Sequence, residues 1–352
     1  MRWDRPSSGG DGAIKGPLKG YHHETYVLPL PGGTQIVKVR EPRAEILWFD
    51  RRCFRSEEKL LRTLKGEITR IPEVLDVAGM GFQGFIEGRT LPLRQWAGRY
   101  VPDAAFDQIV GFFREMARIE PAMVESVPRR CQLQDRAADG DTDGFLERLI
   151  VFIEDQVYKR NLEAFGDLFG ELGVTSESFT RLRKRVSGLR RRPFRLLHAD
   201  LHRNNFVVDS RGQLWTIDWE LAMVGDPLYD LATHLYLMRY PADQQRRMAG
   251  EWRRVVEVAN PGGSYGMEED LDLLLDFKRA QSVFTDVIRV SMSLSEGEGA
   301  WTTLPWAAWK LQRVLETAAG PLDLAGVPSH REIMAALLRR SRQLDRAAAY
   351  AA

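Results

Sequence analysis

The spacing of hydrophobic residues changes several times along the chain, and each change predicts a different kind of element. Residues 1–15 contain Pro6, Ser7, Ser8, Gly9, Gly10 and Gly12 without apolar periodicity, which predicts a disordered tail. From Gly16 onward short β-prone runs follow, at 21–30 and 34–39, and Pro31, Gly32 and Gly33 between them supply hairpin-turn chemistry. Ser56 then opens a stretch in which Leu60, Leu61 and Leu64 recur on one helical face, with Ile71, Pro72 and Glu73 closing it. One more short strand fits 82–87, ended by Gly88.

Beyond Gly88 the period becomes that of helices. Leu149, Ile150, Ile153 and Val157 form one stripe, and Leu273, Phe277, Ala280, Phe284, Val287 and Ile288 form another. Residues 196–218 interrupt this pattern. A run at 196–201 leads into Asn204 and Asn205, a second run covers 206–209, residues 210–213 are turn-forming, and a third run covers 214–218. That order predicts a loop feeding a β-hairpin inside an otherwise helical region.

Composition narrows the class. With 352 residues and 44% hydrophobic content, the chain is long enough for a large core split into two domains. Lys and Arg number 50 against 49 Asp and Glu, so the basic excess that holds nucleic acid is absent and no nucleic-acid partner is expected. The arginine run at 190–192 reads as a solvated helix end or loop. Cys53 and Cys131 are far apart in sequence, which argues against a zinc ribbon, a redox dithiol or a secreted disulfide framework. No run approaches the length of a membrane span and no signal-peptide core stands at the N-terminus, so a cytoplasmic protein without a membrane partner is expected.

The chemistry concentrates in His198-Ala199-Asp200-Leu201-His202-Arg203-Asn204-Asn205 and, after the predicted hairpin, Ile217-Asp218-Trp219-Glu220. Asn205 and Asp218 offer an amide oxygen and a carboxylate, hard donors suited to Mg²⁺ bridging phosphate oxygens, while Asp200 can accept or orient the proton of an attacking hydroxyl. Phosphoryl transfer needs positioning and charge neutralisation more than covalent help, and these are the parts it uses. The hairpin would return the two metal ligands to one place.

These blocks, followed by Gly225-Asp226-Pro227 and Asp230-Leu231-Ala232, resemble the aminoglycoside phosphotransferase and choline-kinase-like group, relatives of the protein kinases. The resemblance implies an α+β, bilobal protein-kinase-like fold. It implies a small nucleotide-binding lobe of antiparallel sheet plus helix at 16–83, a hinge at 84–88, and a larger, mainly helical lobe at 89–352 with the catalytic loop and acceptor-binding helices. It makes Asp200 the catalytic residue and Asn205 and Asp218 the Mg²⁺ ligands, with ATP or GTP as phosphate donor. Lys38, between apolar strand residues, would then reach the α- and β-phosphates, paired with Glu57 or, as runner-up, Glu58. Gly20, Tyr21 and His22 would approach the phosphates, and His202 is a further candidate there. Gly84, Phe85 and Ile86 would offer hinge backbone groups to the purine. His198, Asp226 and Asp230 are read as supports, Asp226 starting a helix and Asp230 accepting backbone hydrogen bonds from the loop.

The acceptor would be a hydroxylated small molecule lying against 147–158 and a long helix from about 268 to 294. The resemblance favours an antibiotic of aminoglycoside, nucleoside, peptide or macrolide class, phosphorylated in resistance or self-resistance. A metabolic kinase of an amino alcohol, sugar or amino-acid hydroxyl is the alternative. A polycationic acceptor needs carboxylates, for which Glu154, Asp155, Glu220 and Asp286 are the candidates, although arginines are interspersed and solvated helix faces explain most of these charges. Two further readings are a catalytically silent nucleotide-binding module and a zinc hydrolase built on His198 and His202, the latter lacking a clear third ligand.

Overall fold

Among the described residues, five antiparallel strands build the sheet of the small lobe: β1 (Lys15–Lys19), β2 (His23–Pro29), β3 (Ile36–Pro42), β4 (Val74–Val77) and β5 (Met80–Gly84), in spatial order β1-β2-β3-β5-β4. The structure, a computed structural model, describes residues 15–19, 23–29, 36–42, 49–77, 79–91, 100–295 and 300–351. The expected hairpin is β2–β3, with His23 opposite Pro42 and Pro29 opposite Ile36. Strand β1 precedes the expected runs at 21–30 and 34–39 and begins at Lys15, the last residue of the expected tail. Lys15 pairs with Val27 and Lys19 with Glu24, with a register irregularity between Lys15 and Leu18. An edge strand with such an irregularity tolerates Gly16 and Pro17. Residues 1–14 of the expected tail lie outside the described residues.

Helix α1 (Glu57–Leu64) covers this sheet with Leu60, Leu61 and Leu64, all buried. Ser56 caps it, its hydroxyl accepting the Lys59 amide at 3.2 Å, and Glu57 and Glu58 place negative charge at the positive end of the helix dipole. The helix stops at Leu64, not at the expected 71–73, because Gly66 turns the chain with φ of 91°.

The large lobe contains strands β6 (Arg89–Thr90), β7 (Arg195–Leu197), β8 (Phe206–Val208), β9 (Leu214–Thr216) and β10 (Met223–Gly225). Its helices are α2 (Asp103–Met116), α3 (Thr142–Phe152), α4 (Leu162–Glu171), α5 (Glu177–Arg185), α6 (Pro227–Met238), α7 (Ala242–Ala259), α8 (Met267–Ser295), α9 (Ala300–Leu322) and α10 (His330–Ala351). The expected hairpin is β8–β9, with Phe206 opposite Thr216 and Val208 opposite Leu214; β6 flanks it, and β7 pairs separately with β10. Helix α3 runs on into a π-helical turn at Ile153–Tyr158. The second predicted stripe is the buried face of α8, where Phe277, Ala280, Phe284, Val287 and Ile288 are all 0% exposed. Phe284 stacks on Phe179 with ring centroids 4.4 Å apart, and Tyr158 and Phe169 close the cluster. Among the described residues no helix is long and apolar enough to cross a membrane.

A buried ion cluster joins the start of α6 to β7 and α8. Asp226 caps α6 by accepting the Leu228 amide at 2.9 Å, with Pro227 in the first turn. Arg192, read from sequence as part of a solvated run, is instead fully buried between two carboxylates. Its Nη2 lies 2.6 Å from Asp226 and its Nη1 2.6 Å from Asp270. Arg190 and Arg191 do remain exposed. The sequence shows only the run; the partners come from residues 34 and 78 positions away. Preceding the cap, Gly225 passes so close to Phe145 that a Cβ there would sit 2.2 Å from the ring.

His234 on α6 is buried beneath the loop that follows β7, its Nδ1 3.0 Å from the Leu201 carbonyl and its Nε2 2.9 Å from the Tyr240 hydroxyl. Burial pushes its pKa down to about 3. Removing Arg192 leaves two buried carboxylates unpaired, so Arg192→Ala is expected to lower the unfolding free energy by about 3–5 kcal/mol in urea titrations. An unfolded histidine titrates near 6.5, so the stability that neutral His234 contributes is complete above about pH 6.5 and is lost as pH falls toward 3. Wild type should therefore lose about 1.4 kcal/mol per pH unit more than His234→Phe over that window in thermal unfolding; parallel pH profiles would exclude it.

Candidate active site

The loop after β7 is shaped by a strained turn held from below. Ala199 adopts φ of 64°, a left-handed conformation that disfavours any residue with a Cβ. Asp230 compensates: its Oδ2 accepts the His198 amide at 3.1 Å and its Oδ1 accepts the Ala199 amide at 2.7 Å. Burial pushes this carboxyl up to about 6, while the two amides pull it down. The turn carries the chain from buried Ala199 to Asp200, whose side chain is 26% exposed.

His198 points inward. Its Nε2 lies 3.1 Å from the Ile217 carbonyl, which can only accept, so Nε2 carries the proton. Burial lowers its pKa to about 4, and its ring packs against Trp219 with centroids 4.8 Å apart. The neutral imidazole thus ties the loop to the strand end just before Asp218.

Asn205 is held on three sides. Its Nδ2 donates to the Asp200 carbonyl at 2.8 Å and to Asp200 Oδ2 at 3.0 Å, its amide N donates to the His202 carbonyl at 2.9 Å, and its own carbonyl accepts the Ile217 amide at 3.0 Å. With Nδ2 committed to Asp200, the side-chain Oδ1 is turned away from that carboxylate. The Ile217 bond extends the β8–β9 ladder, so Asp218 emerges next to Asn205. Asp218 is itself left-handed, with φ of 68° and ψ of 65°. The charges of Asp200 and Asp218 both act on His198 and His202. His202 Nδ1 accepts the Asn204 amide at 3.1 Å, and its Nε2 faces Asp200 Oδ2 at 3.4 Å. Burial lowers the His202 pKa, but the hydrogen bond and charge of Asp200, with Asp218, outweigh it and leave it raised.

The small lobe reaches the Asp218 turn through the Trp219 amide, which donates to Glu57 Oε1 at 2.8 Å, and through Arg52, which pairs with Glu220 at 2.8 Å. Glu58 turns elsewhere, to Ser56 at 2.9 Å and Gln83 at 3.3 Å. Lys38 stands opposite Gln83 in the β3–β5 pair, and only its backbone is described. Gly20, Tyr21 and His22 lie outside the described residues. The Gly84 amide, expected to be offered by the hinge, is already used, donating to the Glu73 carbonyl at 2.7 Å.

The four carboxylates expected for a polycation do not gather into a pocket. Glu220 pairs with Arg52 at 2.8 Å, Glu154 with Arg183 at 2.7 Å and Lys159 at 2.8 Å, Asp155 with Lys159 at 3.0 Å, and Asp286 with Lys310 at 2.8 Å. Nor is a zinc site formed. His198 and His202 point in different directions, and among the described residues no group of three or more His, Cys, Asp or Glu is arranged to hold a metal.

Residues not foreseen from the sequence surround the loop. Lys278 on α8 is buried beneath it, 2.6 Å from Gln281 Oε1 and 3.3 Å from the Tyr229 hydroxyl. Burial lowers its pKa, but Tyr229, Asp50 and Asp200 raise it further, so it stays charged. Gln281 also donates to Asp50 at 2.9 Å. A lysine beside an apolar stripe reads as solvated, and nothing local marks Asp50 as its neighbour.

Residues 13–263 match the phosphotransferase enzyme family. A sequence search of curated proteins gives no match. Among solved structures, choline kinase LicA from Streptococcus pneumoniae is similar over 87% of this chain and 93% of its own, at 16% identity and a TM-score of 0.51. The ADP-bound aminoglycoside phosphotransferase APH(2'')-Ib is similar over 90% of this chain and 95% of its own, at 16% identity and a TM-score of 0.51. A choline/ethanolamine kinase family protein from Mesorhizobium loti is similar over 94% of both chains, at 15% identity and a TM-score of 0.50. These likenesses show the bilobal, protein-kinase-like fold, and the sequence match spans most of the chain. The protein belongs to the phosphotransferase enzyme family.

Proposed function

We propose that this phosphotransferase is a small-molecule kinase that moves the γ-phosphate of ATP or GTP to a hydroxyl, with Asp200 as the catalytic residue and Asn205 and Asp218 as Mg²⁺ ligands. The observation that carries the reading is the double hydrogen bond from Asn205 Nδ2 to Asp200, which commits the amide nitrogen and aims Oδ1 elsewhere. An amide oxygen and an adjacent carboxylate suit Mg²⁺, which takes one or two protein ligands and fills its remaining positions with phosphate oxygens and water. When bound, Mg²⁺ would neutralise charge on the phosphates.

Asp200 has the geometry for its role. Its Oδ2 is held by Asn205 and faces His202, while Oδ1 has no hydrogen-bond partner among the described residues and is available to an acceptor hydroxyl. In the transfer, Asp200 orients that hydroxyl and takes its proton as the new O–P bond forms and the nucleoside diphosphate departs. His198, Asp226 and Asp230 act as supports. Residues 16–83 form the nucleotide lobe, with Lys38 on the α- and β-phosphates and Glu57 keeping α1 docked on the Asp218 turn. Residues 84–88 form the hinge, with Phe85 and Ile86 offering backbone groups to the purine, and 89–352 form the acceptor lobe.

The acceptor is a hydroxylated antibiotic of nucleoside, peptide or macrolide class in preference to a polycationic aminoglycoside. This rests on Glu154, Asp155, Glu220 and Asp286 each being ion-paired within the chain, so that a polycation would have to break existing pairs to be held. Expression in a sensitive host against an antibiotic panel separates this from a metabolic acceptor: protection with a mass gain of one phosphate supports the antibiotic, turnover of a metabolite without protection supports the other.

Asp200→Asn is expected to lower turnover by about 10²–10⁴-fold while nucleotide affinity stays within about twofold, measured by acceptor phosphorylation and calorimetry. Asp218→Ala is expected to weaken Mg-nucleotide binding as well as turnover, and unchanged Mg²⁺-dependent nucleotide affinity would remove Asp218 from the metal site.

A further inference from the structure

A cleft beside the catalytic loop carries the opposite charge from the one a cationic acceptor needs. Its cavity of about 740 Å³ is lined by five arginines, Arg51, Arg52, Arg130, Arg148 and Arg160. It shares Arg51 and Phe152 with a smaller cavity walled by Leu149, Leu221, Met223 and Ala199, the residue before Asp200. The two cavities thus share a wall at Arg51 and Phe152, and the smaller one reaches Ala199, next to Asp200 in the chain.

Ion pairing divides these charges. Arg52 is neutralised by Glu220 at 2.8 Å. The other four donate to uncharged oxygens: Arg51 to the Asp135 carbonyl at 2.7 Å, Arg130 to the Phe54 carbonyl at 3.3 Å, Arg148 to the Gly144 carbonyl at 2.7 Å, and Arg160 to the Gln156 side chain at 3.4 Å. Among the described residues no carboxylate lies within ion-pair distance of these four, and Arg148 Nε is buried without a hydrogen-bond partner. Two aspartates also line the cleft. Asp155 is paired with Lys159 at 3.0 Å, and Asp135 accepts the Gln132 amide at 3.0 Å. A guanidinium does not lose its proton in a protein, so the far end of the cleft is strongly positive.

Cys131 also lines the cleft, and its pKa is lowered to about 5, first by the hydrogen bond from Cys53 and then, against burial, by Arg136 and the charge of Arg51. At the catalytic end the charges balance: Asp50 faces Arg289 at 3.8 Å and the buried Lys278.

We propose that this cleft is the acceptor subsite and that the acceptor is an alcohol bearing an oxyanion, a carboxylate or a phosphate monoester, distant from the hydroxyl that Asp200 faces. The guanidinium fork matches either oxyanion with paired N–H donors. The place of the hydroxyl rests on the kinase reading; the place of the anion does not. In the transfer the acceptor oxygen forms the new O–P bond, the bond from γ-phosphorus to the bridging oxygen breaks, the hydroxyl proton goes to Asp200, and nucleoside diphosphate leaves.

The first test uses no turnover. Iodoacetamide alkylation of Cys131 in the full chain, read by peptide mass spectrometry, is compared with para-hydroxymethyl-benzoate, its carboxamide, para-hydroxymethyl-benzylamine, phosphoglycerol and glycerol present. The benzoate or the phosphoglycerol is expected to slow alkylation about tenfold, the neutral and cationic probes not, and the double variant Arg130→Glu/Arg160→Glu to lose the protection. Both positions are exposed, so the variant is not expected to unfold. Which anion protects distinguishes carboxylate from phosphate; equal protection by the amine overturns the proposal.

The second test measures transfer from Mg-ATP and Mg-GTP to the same probes. The KM of the protecting anion should lie about tenfold below that of its neutral counterpart, and the double variant should raise it about tenfold with kcat little changed. Protection by anions without transfer or nucleotide hydrolysis would end the kinase reading and leave the anion cleft standing. Transfer to the amine with an equal or lower KM would do the reverse.

Discussion

The site depends on one buried carboxylate accepting two consecutive backbone amides. Asp230 takes the N–H groups of His198 and Ala199, and in doing so holds Ala199 in a left-handed turn that its Cβ disfavours. Such strain is of order 1–3 kcal/mol and persists only where the surroundings over-determine it. Here they do: His198 is fastened to the Ile217 carbonyl, and Leu201 is fastened to His234 from the same helix that carries Asp230. Without that turn the chain would continue straight out of β7, and Asp200 would not project beside Asn205.

Helix α6 is in turn located by Arg192. Its guanidinium joins Asp226, the residue that caps the helix, to Asp270 near the start of α8, and all three are buried. A buried triad of this kind adds little net stability over an apolar substitute, yet removing one member is severe. Its geometric effect is to fix where α6 begins, and hence where Asp230 lies under the loop. The small lobe adds its own constraint from above, through Glu57 on the Trp219 amide. The turn that carries Asp218 is therefore held by both lobes.

Charge is distributed in two ways around this frame. Carboxylates on the helical lobe are answered by Lys or Arg partners close in sequence or on the next helix, which cancels them as binding groups. The arginines at 51, 130, 148 and 160 instead spend their donors on carbonyl and amide oxygens, which satisfies hydrogen bonding but leaves the charge uncancelled. The π-helical turn after α3 takes part in this, since it continues the wall from Phe152 to Asp155, Gln156 and Arg160.

The sequence alone determined what is local: the hairpins β2–β3 and β8–β9, the capped start of α1 at Ser56, the buried face of α8, and the family through the ordered blocks at 198–232. These signals survive in one dimension because turns, caps and periodicity act over a few residues. It failed where a local preference was overruled, as with Arg192, drawn from a run that reads as solvated into a cluster spanning 78 positions. It also could not show that Glu154, Asp155, Glu220 and Asp286 are already neutralised, or that Arg51 meets Arg148 and Arg160 across one cleft. Pairing and net local charge are properties of which side chains end up within a few ångströms of one another, and only the tertiary structure decides that.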